Sequence, residues 1–360
     1  TLGAWRSFIV VALTAGALMA LGRARLSGSV ACLALLGIVG LDLWSIGRLY
    51  WRFSPRASEL YASDAAIAYL RAIPQPGRVV PLALGPLGGP VLDPYLRGGD
   101  GRADGLMVHG VRSAVGYHGN ELGRYDLLTG WDDDWPRRLT NPNLRRLTNI
   151  RYLYTAAATP PLEGMRLVAG PTTNAAGNTV YLYEFPEDNP LAWVVPIAIE
   201  APDANVLATV LDRGFDVRRA ALFDTGAAVP VQPVPSSPPA LTEITVRVTH
   251  WEPGRIALSL DRPSPAGAAL LVSENYYPGW SARVDGKSAP IGRADYTLIG
   301  VALPAGARQV ELTFTSPRYV FGKRLTIIAI ALAAIWFALG LWRRRGHSVP
   351  RVSDRPAIGE

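Results

Sequence analysis

The densest collection of reactive side chains in this 360-residue chain is the segment GYHGNELGRYD, residues 116–126. It gathers Tyr117, His118, Glu121, Arg124, Tyr125 and Asp126 into one short stretch. Aromatic rings stack on sugar rings, a guanidinium forks onto phosphate oxygens, and an imidazole can act as a general base near neutral pH. Tyr117, His118, Arg124, Tyr125 and Asp126 are therefore candidate binding residues for a sugar or a lipid phosphate. The competing reading is an Asn120-capped helix whose Arg124 pairs with Glu121 or Asp126 on a solvated face.

A second aromatic cluster is NYYPGW, residues 275–280. Pro278-Gly279 fits a tight turn. Tyr276, Tyr277 and Trp280 could stack on carbohydrate. They could equally pack a sheet edge and rest on lipid headgroups. The third candidate is WDDDW, residues 131–135. Asp132 and Asp134 are spaced like carboxylates that hold a divalent cation, or they line a solvated loop before Pro136. His109, His118 and His250 lack metal-ligand spacing, so no metal is assigned. LALGPLGGP lacks the Lys-Ser/Thr of a phosphate-cradling loop. No cofactor is expected.

These segments must be positioned by something, and hydropathy shows what. Residues 7–22 and 26–41 carry no charge, and the second run continues to Gly47 with Asp42 as its sole charge. Residues 325–342 are uncharged between Arg324 and Arg343. Spanning a bilayer takes about 20 apolar residues, about 17 at the short end. Trp44, Trp51, Trp336 and Trp342 lie near the ends of these runs, as in an interfacial belt. Arg23 and Arg25 occupy the tight turn between the first two runs, and Arg343–Arg345 follow the third. Basic residues of short loops prefer the cytoplasm, so residues 57–318 are expected outside it. The expected localisation is the cell membrane, multi-pass, with a large extracytoplasmic region, and the lipid bilayer is the first partner.

The formal charge of +7 does not point to nucleic acid. Only Lys287 and Lys323 are lysines, and arginine is spread along the chain without a basic, aromatic-laced patch. No nucleic-acid partner is expected. Cys32 is the sole cysteine, which excludes an intrachain disulfide. The chain begins at Thr1, and it is read as the C-terminal part of a longer protein.

The expected fold is membrane α-helices plus an extracytoplasmic α+β region ending in an antiparallel β-sandwich. Residues 1–56 hold two transmembrane helices and 57–190 a mixed α/β region. Within the latter, Ser63 or Asp64 caps the amphipathic AAIAYLRAI before Pro74, and RVVPLAL and IRYLYTA read as strands. MRLVAGP and NTVYLYEFP read as a hairpin pair. Residues 191–240 form a connector with a Pro-rich linker. Residues 241–316 alternate as short strands between Gly/Pro turns, the pattern of a β-sandwich. Residues 317–345 form the final membrane helix and 346–360 a disordered cytoplasmic tail.

The C-terminal motifs resemble the YfhO-like family of bacterial membrane proteins. The order NYYPGW, then VDG (284–286), then GVALPAGARQVELTF (300–314), then a last apolar helix is that family's order. The YLR helix, GYHGNELGRY and LTNIRYLY (147–154) are similar to its looser upstream pattern. The resemblance implies a large membrane glycosyltransferase of the GT-C class. Such an enzyme would move sugar from a polyprenyl-phosphate donor to an envelope glycan or polymer acceptor. The family's catalytic carboxylate is expected in a first external loop upstream of this chain, so the resemblance assigns no catalytic residue here. The alternatives are a non-catalytic envelope scaffold that binds glycan or protein, and an accessory of a transporter or flippase.

Overall fold

The computed structural model describes residues 2–51, 53, 55–75, 77–89, 93–96, 104–116, 119, 121–130 and 135–345. The chain divides into two compact units, Thr1–Leu60 and Tyr61–Glu360.

The first unit is a helical hairpin, α1 (Leu2–Gly22) and α2 (Gly28–Gly47), followed by a short helix α3 (Ala57–Leu60). Ser27 ends the connecting turn by accepting from the Val30 amide at 3.4 Å. Both long helices are apolar on every side, and Phe8, Val11, Leu33, Leu36 and Leu41 stay exposed. A helix apolar all round and uncovered by protein belongs in lipid. Its two buried-depth charges find each other: Arg6 donates to Asp42 Oδ1 from Nε at 2.9 Å and from Nη2 at 2.6 Å. Pairing lowers the cost of carrying both into a bilayer.

The second unit begins with α4 (Ala65–Ala72). Asp64 caps it by accepting from the Ile67 amide at 2.8 Å, the cap expected from sequence. A four-stranded sheet follows, built from β1 (Arg78–Leu82), β2 (Ile150–Thr155), β3 (Arg166–Thr173) and β4 (Thr179–Glu184). Its order is β1-β2-β4-β3, with β1 and β2 parallel and the rest antiparallel. The expected hairpin is β3–β4. Alternation sends Val79, Tyr152 and Tyr154 towards Ile67 and Leu70 of α4. Val80, Leu82 and Leu153 face the opposite way, onto Trp135 and Leu139. Between β1 and β2 the chain forms a 3₁₀ turn (Gly105–His109), α5 (Gly123–Thr129), α6 (Trp135–Arg138) and α7 (Pro142–Leu147). Asn141 caps α7 on the Asn143 and Leu144 amides, with Pro142 at its first position.

Two further sheets complete the unit. A six-stranded sheet runs β5 (Ala192–Val195), β10 (Ala269–Asn275), β14 (Leu298–Ala302), β13 (Ile291–Ala294), β7 (Ala221–Asp224), β6 (Ala198–Ala201). The helix α8 (Asp203–Leu211) links β6 to β7, which pair in parallel. A five-stranded antiparallel sheet runs β12 (Lys287–Ala289), β11 (Trp280–Val284), β15 (Gln309–Phe314), β9 (Arg255–Leu260), β8 (Val246–Glu252). The two sheets share one apolar core, in which Leu270, Val272 and Ile299 meet Ile256, Leu258 and Leu312.

Residues 241–316 therefore do not supply both sheets by themselves. Their strands β10, β13 and β14 are joined by β5, β6 and β7 from the segment expected as a connector. The reason lies in β10. Ala269–Ser273 are buried without alternation, so this strand needs cover on both faces and partners on both edges. The connector provides β5, which pairs with one edge, and α8 and Phe223, which cover the outer face together with α7 from the preceding region. Gly300 of β14 fits because it has no Cβ, since one would lie 2.4 Å from the Phe223 ring.

The unit ends in α9 (Pro317–Arg345), again exposed and apolar along its length. α1, α2 and α9 are the three described helices long and apolar enough to cross a membrane.

Candidate functional site

One cavity in the second unit has a volume of about 430 Å³. It opens where α5 and the segment after the 3₁₀ turn approach β1, β8 and β10. Its walls are aromatic: Tyr125 from α5, Trp135 from α6 and Trp251 from β8. Its polar floor comes from Arg78, Arg112 and Glu274.

Backbone pairing fixes that floor. Arg78 opens β1, where its amide donates to Asn149 O at 2.8 Å. The Val79 amide takes Arg112 O at 2.9 Å, which hangs the 111–115 segment along the free edge of β1. Glu274 sits at the end of β10. Its carboxylate accepts from Arg78 Nη2 at 2.9 Å and from Arg112 Nη2. Arg78 also donates to Thr148 O and Ser273 Oγ at 2.9 and 3.0 Å. Arg112 donates to Asn149 Oδ1 at 3.1 Å and lies 4.8 Å over the Trp251 ring. The triad joins the four-stranded sheet to the six-stranded one. Burial, with Arg78 close by, pushes the Arg112 guanidinium down to about 10. The charge is still held at neutral pH, because Glu274 answers it.

Tyr125 is half-buried with its hydroxyl donating to Ala114 O at 2.7 Å, and burial raises its pKa. It is a wall and a donor to backbone, not an acid. Trp135 is 2% exposed, yet its indole nitrogen finds no acceptor among the described residues. A buried unpaired donor costs roughly 1–3 kcal/mol, so this N–H is a standing invitation to a ligand oxygen. Asp104, Glu121 and Asp126 add carboxylates to the rim.

The sequence candidates divide. Tyr125 and Asp126 line the cavity. Arg124, one position earlier, does not. Arg124 Nη2 donates to Asp203 Oδ2 at 2.7 Å at the start of α8, and its guanidinium lies 4.9 Å over the Tyr296 ring. The Asp203 hydrogen bond raises Arg124, and Arg124 depresses Asp203 in turn. Neither Glu121 nor Asp126 is its partner. Arg124 is thus a clasp between α5 and α8, and the phosphate fork expected of it is already engaged. Tyr117, His118, Asn120, Asp132 and Asp134 lie outside the described residues. Tyr277 and Trp280 sit elsewhere, at the end of the five-stranded sheet. Trp280 is half-buried 5.4 Å from the Phe314 ring, and Tyr277 is exposed 6.4 Å from the same ring.

Sequence reasoning missed Arg78, Arg112, Trp135, Trp251 and Glu274. Glu274 had a signal: a charged residue ending the apolar run ALLVS. The arginines had none, since their partner lies 196 and 162 residues away. Among the described residues, no group of three or more His, Cys, Asp or Glu could hold a metal.

Comparison with known proteins now gives this region a relative. The family model described as bacterial membrane protein YfhO matches residues 232–326. A protein of Bacillus subtilis (strain 168), named as the uncharacterized protein YfhO, is 23% identical over 141 residues. That alignment covers 39% of this chain and 16% of the relative. No solved structure matches significantly. The match takes in β8–β15 and the start of α9, the strands that carry Glu274 and Trp251 and the helix that returns to the membrane. With its three membrane-spanning helices and large extracytoplasmic domain, the protein is a multi-pass membrane protein. Over residues 232–326 its sequence matches the YfhO family of bacterial membrane proteins.

Proposed function

We propose that the extracytoplasmic region is the glycan-binding part of a membrane glycosyltransferase, one that takes sugar from a polyprenyl-phosphate donor. In this reading the two facing sheets act as a β-sandwich carrier, and the cavity beside α5 receives a neutral sugar unit of the envelope acceptor. The observation that carries it is the pairing state of the cavity. Its two arginines share the Glu274 carboxylate, its remaining charged lining is acidic, and its walls are aromatic. Phosphate would meet carboxylates, whereas sugar hydroxyls would find acceptors and a ring face would find Trp251 or Tyr125. The Trp135 N–H would donate to one such hydroxyl.

A second reading, an envelope scaffold that binds glycan without transferring it, is favoured by the same locked ion pairs. Arg78, Arg112 and Glu274 hold one another, which suits positioning better than proton transfer. Both readings require sugar binding, and a transfer assay on the complete protein with a polyprenyl-phosphate sugar separates them.

The binding test uses the protein in nanodiscs, titrated with neutral oligosaccharides and with sugar phosphates. Neutral sugars should bind and quench tryptophan fluorescence. Trp135→Phe keeps the ring and removes the donor, so it should weaken binding about tenfold, the worth of one buried hydrogen bond. Preference for the phosphorylated sugars, or an unchanged affinity in Trp135→Phe, would overturn the cavity assignment.

A further inference from the structure

The second aromatic cluster has a role that the cavity does not use. The turn 275–280 is pinned to the last residues before α9. Trp280 pairs with Phe314 in the β11–β15 register, and the Thr315 amide donates to Gly279 O at 3.0 Å. Gly279 holds φ +127°, and a Cβ there would sit 2.6 Å from Thr315 O. No other residue type allows so close an approach. Tyr277 and Trp280 flank the Phe314 ring. Ser316 then caps α9 by accepting from the Tyr319 amide at 3.2 Å. Only Thr315 and Ser316 separate the strand from the membrane helix, so there is no linker in which the domain could lift away.

The first turns of α9 are amphiphilic in the manner of a headgroup zone. Tyr319 and Phe321 are exposed, and Arg318, Lys323 and Arg324 precede the uncharged run. Pro317 to Arg324 rises about 10 Å along the helix. That is comparable to the polar layer on one side of a bilayer, roughly 5–8 Å. No acidic residue lies between Glu311 and Asp354. One of the two lysines of the chain is here. Basic residues at the external end of a span oppose the usual orientation bias, so they carry a topological cost that some other interaction must offset.

We propose that the turn 275–280 and the first turns of α9 form a membrane foot that binds anionic phospholipid headgroups of the outer leaflet. Tyr277 and Trp280 lie in the interfacial layer, as amphipathic rings prefer. Arg318, Lys323 and Arg324 pair with lipid phosphates. The foot fixes the five-stranded sheet upright on the bilayer. This does not depend on what the cavity binds.

The test uses the full chain with Cys32→Ser, which leaves no other thiol. A nitroxide is attached at Tyr277→Cys or, as reference, at Lys287→Cys. Lys287 pairs with Val284 at the far end of β11, about 13 Å along the strand from Trp280. In vesicles of phosphatidylcholine mixed with phosphatidylglycerol, the label at 277 should be several-fold less accessible to an aqueous nickel reagent than the label at 287. It should be less shielded in phosphatidylcholine alone. Native mass spectrometry reads lipid retention independently of the label. The triple variant Arg318→Gln/Lys323→Gln/Arg324→Gln should retain phosphatidylglycerol about fivefold less per charge removed. Equal nickel access at 277 and 287 would overturn the foot. Equal results in the two lipids, with unchanged retention in the triple variant, would overturn the anionic headgroup assignment.

Discussion

Glu274→Ala is expected to destabilise the extracytoplasmic domain by about 3–5 kcal/mol, the usual cost of breaking a buried ion pair by removing one partner. Glu274 is the single carboxylate that answers Arg78 and Arg112, and both arginine side chains are only 12% exposed. Without it, two neighbouring cations share a largely buried site with only carbonyl, amide and hydroxyl partners. Their mutual repulsion, which adds to burial in lowering Arg112, would then go unopposed. Arg78 stands on β1 and Arg112 on the segment along its edge, while Glu274 stands on β10, so the damage falls where two sheets meet. Thermal unfolding of the purified protein, followed by tryptophan emission, reads the loss. Replacing all three residues by apolar side chains of similar volume should recover much of it, because a buried triad often contributes little net stability. That triple variant should still lose sugar binding if the carboxylate accepts a hydroxyl. A cost below about 1 kcal/mol for Glu274→Ala would place the triad among solvated pairs.

The triad also shows how far the sequence could be read. Local rules carried the helices well. Asp64 before AAIAYLRA is a cap whose chemistry acts within a few residues. Apolar run length carried α1, α2 and α9. Hairpins such as β8–β9 follow from the Pro253-Gly254 turn between alternating residues. What failed was anything decided across the fold. Nothing local says that LAWVV will pair with ALLVS, and this pairing merges the connector with the C-terminal strands. The 116–126 segment shows the same limit on a smaller scale. Adjacent helix positions diverge by about 100°, so Tyr125 turns into the cavity while Arg124 turns out to Asp203. Residue types flagged the segment, and of the candidates described in it Tyr125 and Asp126 line the cavity while Arg124 does not. Only the packing of α5 could sort which of them converge on the same space.

Asp295→Asn is expected to stabilise the protein at neutral pH, by roughly 3–4 kcal/mol. Asp295 lies in the turn between β13 and β14, with no exposed surface. Its backbone amide donates to Leu222 O, and its Oδ1 accepts from the Leu222 amide, both at 2.8 Å. The carboxylate thus stands in for a strand partner of β7. Its Oδ2 has no partner among the described residues. Burial pushes the group up to about 7, against the pull of the Leu222 N–H. The folded state therefore binds a proton that the unfolded chain releases near 3.8. Stability from this site is full below about pH 4, declines as pH rises to about 7, and stays low above it. A shift of about three units at about 1.4 kcal/mol each sets the size of the loss. Asparagine keeps the acceptor for Leu222, carries no charge, and suits the left-handed φ of +45° better than most residues. Alanine would be a poor substitute, because it abandons the Leu222 amide and is strained at that φ. The neighbouring Tyr296, also left-handed, carries the Arg124 clasp on α5. Loosening this turn would reach the cavity through that helix. Unfolding measured from pH 4 to 8 gives the comparison: wild type and Asp295→Asn should coincide near pH 4 and separate steadily towards pH 7. Parallel curves across that range would show that Asp295 does not take up a proton on folding.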